Sequence, residues 1–424
     1  DADRVEDRRL DDDVGRCVGH LARGAAHHAG DPDHPVRVGD HEGLGREGPL
    51  DMIERLEALA LPREADDDPA AADGGGASLQ RKAPGLYGND PANWEAAAPT
   101  PGLIETLRKV KGDILILGVG GKMGPTLAKM VRRGFDMIGM PERRVFAVSR
   151  FSSSTVRESL QRSGVTTISC DLMDRSAVNL LPECPNVIAM AGQKFGTNEA
   201  PELTWATNTV IPANIAERFS NSRIVAMSTG CVYPLVATSG PGSREGDPLT
   251  PPGEYANACV GRERVYEYFS KRNQTPMVLV RLCYAIDLRY GVLLDLAQKV
   301  FRGEDVDLSM GATHVIWQGD ANARILQLLD HVEVPAVPVN VTGLERLSIR
   351  ELAEQFGELL GRPPKLMGTE ATTAWLWDAQ MSYEWFGPPL ISVPQMLVWI
   401  SDWLRQGGET LNRPTHFEVR DGKY

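Results

Sequence analysis

The stretch DILILGVGGKMGPTLAKM, residues 113–130, decides the fold of this chain. A short apolar run leads into closely spaced glycines, and a helical pattern with a proline in its first turn follows. Gly118, Gly121 and Gly124 fit the spacing G-x-x-G-x-x-G. A strand-to-helix turn without Cβ atoms lets backbone amides approach a pyrophosphate group. The stretch therefore predicts a phosphate-binding loop at the head of a strand–helix series.

The rest of the chain continues this alternation. Further apolar runs rich in β-branched residues lie at 144–150, 166–172, 186–192, 223–229 and 276–282, and helical patterns separate them. Buried strands that alternate with helices predict an α/β fold with a doubly wound parallel sheet and right-handed crossovers. After residue 285 the patterns are mainly helical, which predicts a smaller C-terminal substrate lobe over 286–424.

The first 51 residues differ in composition from the rest. They are rich in Asp, Arg, Gly and His and contain no aromatic residue. Such a segment cannot bury enough apolar surface to fold, so we expect a disordered or non-native extension. A histidine-rich tail that binds metal is the alternative. The first methionine is Met52, near which we expect the natural start, with an N-terminal helix and a linker over 52–110.

Charge and cysteine usage exclude several classes of function. The net charge of −12 argues against general binding to nucleic acids or to anionic membranes, because phosphates would be repelled. No apolar run approaches the roughly 20 residues of a membrane helix. The six cysteines form no C-x-x-C pair, so the sequence predicts neither a zinc site nor a disulfide framework. A reducing, cytoplasmic location fits this usage best.

Several motifs, taken with the glycine loop, carry a family resemblance. They are Asp171-Leu172, AMAG (189–192), Asn208, MSTGCVYP (227–234), Tyr255, Arg281, Asp320 and the stretch VNVTGLERLSIRELAEQFGELLG. These motifs follow one another along the chain as they do in extended short-chain dehydrogenases/reductases of the NAD-dependent epimerase/dehydratase type, which the chain resembles over roughly residues 112–365. The resemblance implies a Rossmann-like NAD(P)-binding domain over 111–285, NADP or NAD as cofactor and a small sugar-like substrate. A homodimer is a possible oligomeric state under this resemblance.

The resemblance also implies residue roles. Tyr255 matches the catalytic tyrosine, and Thr229, with Ser228 before it, matches the active-site hydroxyl. The implied cofactor-binding residues are Gly118, Gly121, Lys122, Met123, Gly124, Ser149, Arg150, Asp171, Leu172, Ala191, Gly192, Asn208, Tyr255 and Cys259.

The end of the second strand bears on the choice of cofactor. Members that prefer NAD usually carry an acidic residue there, which binds the adenosine ribose. Ser149 stands at that position and Arg150 follows it. A guanidinium can pair with a 2′-phosphate, which favours NADP. An arginine that stacks on the adenine, which suits NAD equally, is the alternative.

The family's Tyr-x-x-x-Lys pattern is broken in EYANACVGRE (254–263), because Cys259 stands where the lysine would be. That lysine binds the nicotinamide ribose, and its charge lowers the tyrosine pKa. Three replacements are open: the charge of the oxidised nicotinamide, Arg262 on the same helix face, or Lys194 after the fourth strand. Lys194 is alternatively an ordinary solvated lysine. Cys259 is interpreted as a small buried helix residue rather than a reactive thiol.

Two functions remain open. The first is an enzyme, an oxidoreductase or epimerase that transfers a hydride at a secondary alcohol of a sugar, sugar acid or polyol. Dehydration is disfavoured, because Thr229 is followed by Gly230 and Cys231 where sugar dehydratases carry two acids. Thr313 stands where many nucleotide-sugar enzymes have an arginine, which disfavours a nucleotide-diphosphate substrate. The second function is a non-enzymatic NAD(P)-binding sensor or scaffold, which the absent lysine supports.

Overall fold

A computed structural model describes residues 98–194 and 199–423. The predictions for residues 1–51, and for a helix and linker up to residue 97, lie outside the described residues. The described residues belong to one compact unit. Within this part of the chain, each helix is too short or too polar to cross a membrane.

The strands and helices of the described residues alternate as far as residue 282. The strands are β1 (Ile114–Leu117), β2 (Val145–Ser149), β3 (Thr166–Ser169), β4 (Asn186–Ala189), β5 (Arg223–Thr229), β6 (Val236–Ala237), β7 (Met277–Leu282), β8 (Ala285–Ile286), β9 (Asp305–Asp307), β10 (Ala312–Thr313), β11 (Ile316–Trp317), β12 (Val337–Val341), β13 (Leu347–Ser348), β14 (Lys365–Met367) and β15 (Thr373–Ala374). The helices are α1 (Pro101–Lys109), α2 (Gly124–Met137), α3 (Ser154–Arg162), α4 (Arg175–Asn179), α5 (Pro201–Arg218), α6 (Glu254–Asn273), α7 (Val292–Arg302), α8 (Gln318–Gln327), α9 (Ile349–Leu360), α10 (Gln380–Phe386) and α11 (Val393–Arg405).

The central sheet has seven strands in the order β12-β7-β5-β4-β1-β2-β3. Every neighbouring pair is parallel. The order reverses beside β1, where chain connections cross to opposite sides of the sheet. The predicted doubly wound, Rossmann-like parallel sheet is therefore confirmed, and its reversal point lies where such sheets bind ligands.

Both faces of the sheet are covered because successive strand residues point to opposite sides. Ile114 and Ile116 of β1 join one apolar cluster with α1, α2 and α8. Leu115 and Leu117 join a second cluster with α5 and the second half of α6. All four side chains are fully buried, which explains why the strand is apolar at every position rather than at alternate ones.

The chain after residue 285 contributes to two parts of the structure. A third apolar cluster contains residues of α7, α9 and α11 together with four buried tryptophans, Trp317, Trp375, Trp377 and Trp399. Strand β12, in contrast, pairs with β7 at the edge of the central sheet, and residues of α8 join the cluster on one face of that sheet. The segment predicted as the C-terminal lobe therefore also completes the sheet.

Candidate active site

The glycine loop joins β1 to α2 with the geometry that the sequence predicts. Gly118 has φ +86°, and a Cβ on it would lie 2.6 Å from the backbone nitrogen of Ala191. A Cβ on Gly124 would overlap the backbone of Val119, so neither position accepts a side chain. A Cβ on Gly121 would make only an ordinary van der Waals contact, 3.9 Å from the carbonyl oxygen of Gly118, so this position is not crowded. The loop therefore leaves room for a phosphate group to approach its backbone.

A groove of about 540 Å³ runs from this loop across the ends of the central strands. Its lining includes most of the residues predicted to bind the cofactor, namely Gly118, Gly121, Ser149, Arg150, Asp171, Leu172, Ala191 and Gly192. Ser149 is the last residue of β2, and the exposed Arg150 follows it at the edge of the groove. The volume falls in the range of about 300–1,000 Å³ typical of ligand sites, and the residues fit a dinucleotide.

A smaller cavity of about 170 Å³ contains the predicted reactive groups. Tyr255 and Thr229 both line it, and so does Lys194. Thr229 ends β5, and its Oγ1 accepts a hydrogen bond of 3.2 Å from the backbone nitrogen of Cys231. Lys194 also lines the groove, so its side chain stands where the two spaces meet.

Tyr255 is buried in the first turn of α6, and its phenol is hydrogen-bonded to the thiol of Cys259 one turn later. Burial raises the pKa of Tyr255 well above its usual value, and the neighbouring thiols of Cys259 and Cys231 raise it further. The charge of Arg262 acts in the opposite direction and lowers the Tyr255 pKa. Of the cations predicted as replacements for the lysine, the guanidinium of Arg262 therefore stabilises the phenolate.

Arg262 is fixed by a set of buried contacts. Its Nη1 donates to the carbonyl of Met227 at 2.9 Å, and its Nη2 donates to Oδ1 of Asn208. The Nδ2 of Asn208 donates in turn to the carbonyl of Gln193 at 3.1 Å, beside Lys194. A Cβ on Gly192 would overlap the guanidinium, so this glycine is needed for the close approach of Arg262.

Lys194 and Lys122 extend into the cavity from different loops. Burial lowers the pKa of Lys194, while the thiols of Cys231 and Cys259 and the carboxylate of Asp295 raise it. Its Nζ lies 3.4 Å from the carbonyl oxygen of Thr415, to which it donates. Burial lowers the pKa of Lys122 to about 8, against the charge of Asp287, which raises it.

Some residues predicted to contact the cofactor do not line the dinucleotide groove. Cys259 is fully buried and lines neither the groove nor the small cavity. Asn208 is also buried and holds the loop at Gln193 rather than lining the groove. Lys122 and Met123 line the small cavity instead of the groove. The lining of the groove therefore does not support the predicted contacts of these four residues with the cofactor.

Ser228 takes part in a buried polar network. Its Oγ donates to Oε1 of Glu263 at 2.5 Å, and it is not among the described residues that line the cavity. Glu263 forms an ion pair of 2.7 Å with Arg281, whose Nη1 donates to the Tyr233 hydroxyl at 2.6 Å. The Tyr233 hydroxyl donates to Oδ1 of Asn340 at 2.8 Å. This network connects β5, α6, β7 and β12 beneath the site.

Sequence reasoning missed the far wall of the cavity. Tyr284, Tyr290, Trp377 and Thr415 line it, and all four come from the C-terminal half of the chain. The indole Nε1 of Trp377 donates to the carbonyl of Gly230 at 2.8 Å, which ties this wall to the residue after Thr229. These residues lie in no motif, so only the tertiary structure reveals them.

Comparisons with known proteins agree with this geometry. The model of the NAD dependent epimerase/dehydratase family matches residues 114–286. A UDP-glucose 4-epimerase from Thermotoga maritima, solved with UDP-glucose, is similar in structure with a TM-score of 0.57 and 17% identity, covering 70% of this chain and 99% of that chain. DesIV from Streptomyces venezuelae, a dTDP-glucose 4,6-dehydratase with NAD bound, has a TM-score of 0.59 and 15% identity, covering 69% and 97%.

A dTDP-glucose 4,6-dehydratase from Bacillus anthracis in complex with NAD has a TM-score of 0.58 and 15% identity, covering 70% and 97%. At these identities the likeness to solved structures shows the fold. No curated protein matches the chain. The fold, the glycine loop and the matched segment together identify residues 114–286 as a domain of the NAD dependent epimerase/dehydratase family.

Proposed function

We propose that the protein is an NAD(P)-dependent oxidoreductase or epimerase that acts at a secondary alcohol of a sugar-like or polyol substrate. The observation that carries the proposal is the shared cavity of Tyr255 and Thr229, with Lys194 at its junction with the dinucleotide groove. When bound, the dinucleotide supplies the hydride acceptor or donor. The neighbours solved with NAD or with UDP-glucose support a dinucleotide cofactor and a sugar-like substrate.

Side chains of the protein would transfer the proton of the reacting alcohol. The Thr229 hydroxyl would hydrogen-bond to the oxygen of the reacting alcohol, and the Tyr255 phenol would take the proton of that alcohol or return it. Arg262 would favour the phenolate through its charge, which lowers the Tyr255 pKa. Lys194 would add a second cation at the substrate side, in place of the lysine that Cys259 replaces.

Dehydration remains the less favoured chemistry. A Cβ on Gly230 would lie 2.6 Å from Cε2 of Trp377 and would overlap the thiol of Cys283. An acidic side chain directly after Thr229 is therefore excluded by the far wall of the cavity. This observation supports hydride transfer without loss of water.

NADP is the proposed cofactor over NAD. Strand β2 ends at Ser149, which offers a hydroxyl rather than a carboxylate to an adenosine ribose. Arg150 lines the groove directly after it and is exposed, so its guanidinium is accessible to a 2′-phosphate.

A non-enzymatic NAD(P)-binding sensor is the second candidate. The observation that favours it is the raised pKa of Tyr255, with a neutral thiol at Cys259 as its hydrogen-bond partner. Such a phenol would be a weak base near neutral pH.

A reduction screen separates the two candidates. The full chain is incubated with NADP or NAD and a panel of aldoses, sugar acids and polyols, and absorbance at the wavelength of the reduced cofactor is followed. Epimerisation is detected in parallel by NMR of the recovered sugars. Turnover of any panel member supports the enzyme. Tight cofactor binding without turnover across the panel would favour the sensor.

A further inference from the structure

The small cavity is positively charged in a chain that is otherwise acidic. The charged residues among its described lining are Lys122 and Lys194, and no Asp or Glu is among them. The whole chain has a net charge of −12. Other lining side chains that face the cavity are neutral and include Thr229, Tyr255 and Trp377. A substrate that carries negative charge matches this lining.

Lys122 is held in the cavity by contacts far along the chain. It lies in the glycine loop, but its Nζ donates to the carbonyl of Ala285 at 2.7 Å and to that of Tyr290 at 3.4 Å. The ammonium also stands 4.8 Å from the centroid of the Tyr290 ring. An ammonium has three donor hydrogens, and the two carbonyls occupy two of them. One donor is left for a ligand.

The position of Lys122 distinguishes a substrate contact from a cofactor contact. A lysine between the glycines of a phosphate-binding loop would be expected to serve the pyrophosphate. Lys122 instead lines the small cavity and is not among the described residues that line the dinucleotide groove. The ammonium of Lys122 is therefore positioned to interact with a substrate in the cavity that Tyr255 also lines.

Two ammonium groups that share one cavity repel each other. Both lysines are half-buried, and burial is the main cause that lowers the pKa of each. The charge of Lys194 lowers the pKa of Lys122 further, while the carboxylates of Asp287 and Asp295 raise it. Burying like charges together costs free energy, and an anion bound between them offsets that cost. An anionic substrate group would thus gain from both lysines, whereas a neutral sugar would leave the repulsion in place.

We propose that the cavity binds a sugar acid, with its carboxylate at Lys122 and Lys194 and its reacting hydroxyl at Tyr255 and Thr229. This inference rests on the proposed function and adds the substrate class. The cavity volume of about 170 Å³ favours a single sugar unit over a nucleotide sugar. Sites for larger ligands usually measure about 300–1,000 Å³.

The test compares matched substrates on the full chain. Each hexose is assayed beside its uronic acid, its aldonic acid and its 6-phosphate, with NADP and with NAD. We expect kcat/KM for at least one sugar acid to exceed that of the neutral sugar by 10-fold or more. In Lys122→Met this preference should fall by about 10- to 100-fold, the effect of losing a charged hydrogen bond.

Binding without the cofactor provides a second measurement. Calorimetric titration of the preferred acid into the chain without added dinucleotide should show weaker binding for Lys122→Met, partial recovery for Lys122→Arg, and no change for Lys271→Met. Lys271 is exposed near the end of α6 and serves as the matched control. Thermal unfolding of each variant identifies any that fail to fold.

Each outcome decides the inference. A preference for acids that depends on Lys122 supports it. Turnover of neutral sugars as fast as acids, or a clear preference for the 6-phosphate, overturns the carboxylate site while leaving the proposed enzyme intact. Failure to turn over any member of the panel contradicts the proposed function, and failure of every acid to bind in the titration overturns the inference itself.

Discussion

Arg262 lies two turns after Tyr255 on helix α6, and its buried guanidinium opposes the rise that burial causes in the pKa of the Tyr255 phenol. In the family pattern a lysine at position 259 would lower the tyrosine pKa. Cys259 stands there instead and is fully buried. We propose that Arg262, one turn further along the same helix, supplies part of the charge that the family lysine would supply.

Removing the Arg262 charge should shift the pH dependence of catalysis. In Arg262→Met the Tyr255 pKa rises, so the limb of the kcat profile that reports the phenolate should move to higher pH, and kcat at pH 7 should fall by about tenfold or more. Arg262→Lys should retain part of the effect. Arg264→Met on the exposed side of the same helix is the control. An unmoved profile in folded Arg262→Met would contradict this role.

Tyr255→Phe should reduce turnover by about 10²- to 10⁴-fold, because only the proton-transferring hydroxyl is removed. NADP and NAD affinities, measured by fluorescence titration, should stay within about twofold, since the ring remains in place. Tyr268→Phe, at an exposed position of α6, should behave like the unaltered protein. Full activity of Tyr255→Phe would show that the proposed mechanism does not apply.

Arg150→Ala tests the cofactor preference. We expect NADP binding to weaken by about 1–3 kcal/mol, because a charged hydrogen bond to the 2′-phosphate is lost, while NAD binding hardly changes. The exposed Arg162, at the end of α3, provides the matched control Arg162→Ala. Equal losses for NADP and NAD would instead indicate stacking on the adenine.

The buried ion pair of Glu263 and Arg281 should matter for stability. Both side chains are almost completely buried, so Glu263→Gln leaves an uncompensated guanidinium and should lower the free energy of unfolding by about 3–5 kcal/mol. Glu105→Gln breaks an exposed pair with Lys109 and should leave stability unchanged. Chemical denaturation measures both. A loss below about 1 kcal/mol for Glu263→Gln would show that the network is dispensable.

The sequence predicts the sheet well because its signals are local. The fully apolar run at Ile114–Leu117 and the glycines after it identify a buried strand and a phosphate loop without any tertiary information. Gly124 is required by the backbone of Val119 in the same loop, so the local sequence already accounts for it. Gly118 is required by the backbone of Ala191 after β4, a contact that only the tertiary structure shows.

The missed parts of the site depend on contacts between distant segments. Lys122 lies in a recognisable loop, yet its ammonium bonds to Ala285, 163 positions away, and this contact moves it from the predicted cofactor groove to the small cavity. Trp377 and Thr415 reach the cavity from segments with no motif. Charge and residue type alone do not indicate such placements.

We propose that cations from other positions replace the family lysine, and substitution of Lys194 tests this proposal. The pH dependence of kcat is measured for Lys194→Met and for Lys194→Met combined with Cys259→Lys, using the best substrate of the screen. Lys194 lies near the thiol of Cys259, so a lysine at 259 would return an ammonium to the same region. We predict that Lys194→Met lowers kcat and moves the profile to higher pH, and that the added Cys259→Lys moves it back. A profile that Lys194→Met leaves unchanged would contradict the claim for Lys194 and leave Arg262 as the cation that serves Tyr255.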